Sequence, residues 1–129
     1  MKLSSTRIPV LNILFIFLGQ TIALSQSNYE FRGAALKSGT DLTVGAVYTF
    51  ADVKTGTDAT VTITDITGGI SITNIDGGGG FDRAFQPVLS VPGMTNGYIE
   101  FQIDFFVAGT GNPEVQTEVP ITPIDVDGQ

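Results

Sequence analysis

The chain has 129 residues, 42% of them hydrophobic, with no histidine, no cysteine and a formal charge of −7. Without those two residue types there is no Ser-His-Asp or Cys-His machinery, no thiolate chemistry, no disulfide and no ordinary zinc or copper site. Thirteen acidic residues against six basic ones repel phosphate backbones, which argues against a nucleic-acid partner.

Residues 1–25 read as a targeting segment. Lys2 and Arg7 give a positive start, an apolar stretch follows over residues 8–18, and Ala23-Leu24-Ser25 offers small residues to a signal peptidase. Cleavage before Gln26 is predicted, with no membrane span left after it, because the apolar run is short of the ~20 residues that cross a bilayer. A detached helix is expected for this segment, ahead of a single domain over residues 26–129. Removing the leader makes the remainder more acidic still, since it carries Lys2 and Arg7 and no acid.

The mature part is rich in threonine, valine, isoleucine and phenylalanine, and its 16 glycines and 6 prolines punctuate it into short runs. Strands are predicted over residues 29–36, 44–50, 59–66, 70–75, 88–91, 98–107 and 115–121. In the first, Tyr29, Phe31 and Ala35 face inward. In the third, Val61 and Ile63 alternate with Thr60, Thr62 and Thr64, the pattern of a strand with one solvated face. Turns are expected at Ser38-Gly39-Thr40-Asp41, at Thr55-Gly56-Thr57-Asp58, at Gly68-Gly69, and at Pro92-Gly93 and Asn96-Gly97. The run Asp76-Gly77-Gly78-Gly79-Gly80 is a loop, and residues 81–85 plug one end of the core.

The strongest pattern is YIEFQIDFFV at 98–107. Ile99, Phe101, Ile103, Phe105 and Val107 fall on one face, and Tyr98, Glu100, Gln102, Asp104 and Phe106 on the other. Five bulky groups on one face predict a long, half-buried strand at the centre of an antiparallel sheet. Pro120 and Pro123 place the last strand on an edge or peel it away. About seven or eight short strands without a credible helix predict an all-β, two-layer antiparallel sandwich of immunoglobulin-like build. The closing Asp125-Val126-Asp127-Gly128-Gln129 is itself a turn signal, so a fragment or the first module of a longer protein is expected.

Several residues invite a chemical reading. Asp125 and Asp127 resemble the opening of a calcium loop, since hard cations take several carboxylate and carbonyl oxygens, and Asp76 with Asp82 offers a weaker second pair. The same aspartates beside glycine are also ordinary turn chemistry. Tyr98 and Phe106 are aromatics on the outer face of the main strand, suited to stacking on a sugar or docking a partner. Glu100 and Asp104 share that face and could be the paired carboxylates of a glycosidase, or simply its solvated half. The glycine run has neither the lysine nor the helix of a phosphate loop.

The phrases YEFRGAALKSGTDLTVGAVYTF, TDATVTIT, NIDGGGGFDRAFQP, YIEFQIDFFVAGT and TPIDVDG, spread over residues 28–128, resemble an N-terminal β-sandwich module of large secreted, adhesin-like bacterial surface proteins. That resemblance implies a non-catalytic structural or adhesive role at the cell surface. Its partners would be further domains of the same protein or other cell-surface molecules. It transfers no functional residues. The alternative is a carbohydrate-binding module that uses Tyr98 and Phe106, with no cofactor expected other than a structural calcium in that reading.

Overall fold

A computed structural model of the chain describes residues 29–77, 84–93 and 96–121. The targeting segment 1–25, Asp82 and the Asp125/Asp127 pair lie outside the described residues. The fold is all-β: β1 (Ala35–Ser38), β2 (Val47–Lys54), β3 (Thr57–Ile66), β4 (Ser71–Asn74), β5 (Val88–Ser90) and β6 (Ile99–Val107). They form a four-stranded sheet in the order β1-β2-β3-β6 and a two-stranded sheet β4-β5, with every pairing antiparallel. There is no helix among the described residues.

β2 and β3 make the central hairpin. Lys54 pairs with Thr57, so the connection is the two residues Thr55 and Gly56, with Gly56 at φ +80°, a region where a side chain is strained. The sequence predicts a four-residue turn here. Thr57 and Asp58 belong instead to β3, where Thr57 pairs with Lys54 of β2 and Asp58 with Phe106 of β6.

Two irregularities explain how acidic residues fit into these strands. After Tyr48 and Phe50, strict alternation would turn Asp52 inward. The register slips between Phe50 and Lys54, Asp52 takes φ +51°, and Val53 is fully buried in its place. On β3 the register slips between Ile63 and Asp65, so that Ile66 and not Asp65 packs against the core. Each bulge substitutes a branched hydrophobe for a carboxylate, which avoids the cost of desolvating a charge.

The core comprises Phe31, Ala46, Tyr48, Phe50, Val53, Ala59, Val61, Ile63, Ile72 and Ile75. Ile72 and Ile75 come from β4 and its exit, so both sheets feed one apolar cluster. Phe85 organises the aromatics within it. Its ring lies 6.1 Å from Phe50 and 5.1 Å from Phe101 in edge-on contacts, and 5.9 Å from Phe31. Such pairs add about 0.5–1.5 kcal/mol each beyond area burial.

Three sequence expectations are corrected. β6 presents the predicted faces but lies at the edge of its sheet, not at the centre. Ile99, Phe101 and Phe105 are only partly buried, while Ile103 and Val107 are 38% and 42% exposed. The first strand begins at Ala35 and not at 29. Gly33 at φ +66° breaks the extended run, so Ala34 packs inward and Ala35 is exposed. No strand forms over 115–121. Pairing stops at a bridge between Phe106 and Pro113, and the segment leaves the sheet to reach Tyr29.

Candidate functional site

The outer face of the four-stranded sheet carries a groove of about 360 Å³, lined by Lys37 of β1, Thr49 and Ala51 of β2, Asp58 and Thr60 of β3, Phe106 of β6 and residues 109–111. Alternation builds it on β2 and β3, where Thr49, Asp58 and Thr60 each sit between two buried residues, whereas Lys37 comes from β1, which is exposed throughout. Phe106 offers an apolar ring and Lys37 a cation, while the Thr49 hydroxyl already donates to the Ala35 carbonyl at 3.2 Å and Thr60 is buried.

Asp58 is the best-fixed group in the groove. One carboxylate oxygen accepts the backbone N–H of Asp52 in the β2 bulge and the other accepts that of Gly109 beyond β6, both at 2.9 Å. These two donors hold its pKa below the usual carboxylate value. The sequence reading took Asp58 for a turn residue. The available signal was an aspartate within a β-branched run, where it disfavours the strand unless it serves a neighbouring backbone.

Two tyrosines play the same part elsewhere. The buried ring of Tyr48 carries its hydroxyl to the loop before β2, where it donates to Asp41 at 2.6 Å and accepts from the N–H of Leu42 at 2.7 Å. Burial, then the bond to Asp41, raises its pKa. Tyr29 packs at a tilt against Phe105, ring centres 5.1 Å apart, lies under the Lys54 ammonium at 5.4 Å, and shares its hydroxyl proton between Gln116 at 2.6 Å and the Glu118 carbonyl at 3.2 Å. Burial, with Glu114 and Glu118 adding negative charge, raises its pKa.

The structure does not bring Tyr98 and Phe106 together. Eight residues of extended chain separate them by about 27 Å, too far for one small ligand to touch both. Tyr98 is 55% exposed and donates its hydroxyl to Asp65 at 2.8 Å, a bond that raises its pKa. Glu100 accepts from the Thr64 hydroxyl at 2.8 Å, and Asp104 accepts from the Gln102 amide through both oxygens, at 3.1 and 2.9 Å. Four residues along a strand set this pair about 14 Å apart, wider than the ~5–9.5 Å used by glycosidases. Asp76 accepts from the N–H of Gly33 and is itself turned by Asn74.

What results is an antiparallel all-β unit with a groove of mixed polar and apolar lining on its outer face. Comparison with protein families, with characterised proteins and with solved structures finds no match for this chain.

Proposed function

We propose that this chain is a non-catalytic, extracellular β-sandwich module with a structural or adhesive role at the bacterial cell surface, exported by residues 1–25. The immunoglobulin-like, two-layer build is part of the same reading. It is supported by the apolar cluster shared between the two sheets and by the Tyr48 hydroxyl, which grips backbone a few residues upstream as tyrosine corners of such sandwiches do. The observation that carries the role is where the best-ordered polar groups point. Asp58, Tyr48 and Tyr29 each bind the chain's own backbone, as in a scaffold that presents loops.

Expression with the leader in a secreting bacterium tests the location. A product starting at Gln26 in the surface or medium fraction supports export, and an intact Met1 product retained in the cytosol removes it. The role is tested by attachment of cells that display the module compared with cells that lack it.

A glycan-binding reading is favoured by one feature, the Phe106 ring set among Thr49, Thr60 and Lys37. Glycan-array binding abolished by Phe106→Ala supports it, and an array without hits removes it. Structural calcium at Asp125 and Asp127 belongs to this second reading. A melting temperature that is the same in EDTA and in excess calcium rules it out.

A further inference from the structure

The two edges of the four-stranded sheet are finished differently. On β1 the edge strand is four residues long, has a register slip between Leu36 and Ser38, and carries Lys37, all devices that discourage pairing with another chain. On β6, among the described residues, only the end at Phe105–Val107 is covered. There the Val107 N–H donates to Asn112 at 2.9 Å and the Phe105 carbonyl accepts from Glu114 at 2.8 Å.

Those two bonds fix which way the backbone groups of β6 point. N–H and C=O alternate sides with a period of two, so Ile99, Phe101 and Ile103 also direct theirs away from β3. The Tyr98 carbonyl, which accepts from Thr67 at 3.0 Å on the β3 side, agrees with that phase. The outward groups of Ile99, Phe101 and Ile103 have no partner among the described residues. This open stretch is free of proline and lysine, and the side chain of Ile103 on its core face is 38% exposed.

We propose that residues 99–103 of β6 form an acceptor edge for one extended segment of a partner protein in which apolar and basic residues alternate. A strand added here sets every second residue beside Phe101 and Ile103 and the intervening ones beside Glu100 and Asp104. Charge selects the occupant. A second copy of β6 gathers two Glu100 and two Asp104 carboxylates on one face, and like charges across strands are destabilising. The chain's own Ile124-Asp125-Val126-Asp127 has the right alternation and the wrong sign. Lysine or arginine at those positions meets the acids, with apolar residues covering Ile103.

The test uses the full chain and two labelled peptides of equal composition, one alternating valine and lysine and one with the lysines grouped at one end. The alternating peptide is expected to bind about tenfold more tightly, to weaken with salt, and to slow amide exchange at Ile99, Phe101 and Ile103 only. Ile103→Pro removes an edge donor without removing a bond to β3 and is expected to abolish that preference. Glu100→Lys with Asp104→Lys leaves the backbone untouched and should transfer the preference to a valine–glutamate peptide. Equal binding of the two valine–lysine peptides overturns the proposal. So does slow exchange at those three amides in the free protein, whether from its own segment or, if it grows with concentration, from a second copy.

Discussion

β3 and β6 are paired from Thr57↔Val107 to Ile66↔Ile99, and both alternate apolar with polar residues, yet they are buried very differently. The smaller side chains of β3, Ala59, Val61 and Ile63, are wholly inaccessible. The larger ones facing them across the ladder, Phe105, Ile103 and Phe101, are only partly covered. Alternation assigns a face, whereas burial depends on how many neighbours flank the strand. β3 has β2 on one side and β6 on the other. β6 has a partner on one side, and among the described residues aromatic rings reach it only at Phe101 from Phe85 and at Phe105 from Tyr29.

The same truncation on the two strands measures the contrast. Ile63→Ala is expected to lose about 2–5 kcal/mol in urea unfolding, since it opens a cavity in a packed core. Ile103→Ala should lose about 1 kcal/mol, because much of that side chain is already in water. Equal losses would mean that the edge strand is covered in solution.

A second variant probes how the two strands are brought into line at their far end. The Thr67-Gly68 turn and Asn96-Gly97 lie backbone to backbone, and a Cβ on Gly97 would sit 2.7 Å from the Thr67 carbonyl oxygen. Gly97→Ala should cost about 1–3 kcal/mol, typical of forced overpacking, and should loosen Tyr98 from Asp65. The shift would be seen as a lower Tyr98 pKa in an ultraviolet titration.

The smallest effect concerns the clamp that links the β2 bulge to the loop after β6. Because the folded-state pKa of Asp58 is lowered, its contribution is complete above the ordinary carboxylate value of 3.8 and fades as pH falls through the lowered one. Asp58→Asn should therefore be less stable than the parent at pH 7, with the difference shrinking as both are acidified toward pH 2. A difference that is constant with pH would show that the carboxylate charge plays no part.

The all-β class, the faces of β3 and β6 and the Gly68-Gly69 turn were legible because each rests on local alternation or on a backbone that favours glycine. Edge position was not, since it depends on which strands find each other. The two bulges were hidden for a related reason: Asp52 and Asp65 are kept out of the core by a slip that alternation does not encode. Residues 115–121 look like a strand in isolation, but Tyr29 claims Gln116 and Glu118, a contact about 90 residues away in sequence that no local pattern announces. Of the candidate site, the outward placement of Phe106 and Tyr98 was readable, but the sequence reading set the two in one site although eight residues of extended chain hold them apart. The role of Asp58 was not, because its two partners come from different hairpins.

The bond from Tyr29 to Glu118 has a topological consequence. Tyr29 and Glu118, near the two ends of the described residues, are side by side. A unit so arranged can be spliced into a loop of a host protein without forcing the host's cut ends apart. It can equally be re-opened at Thr55-Gly56, with its old ends joined by a short bridge, and keep the same neighbours.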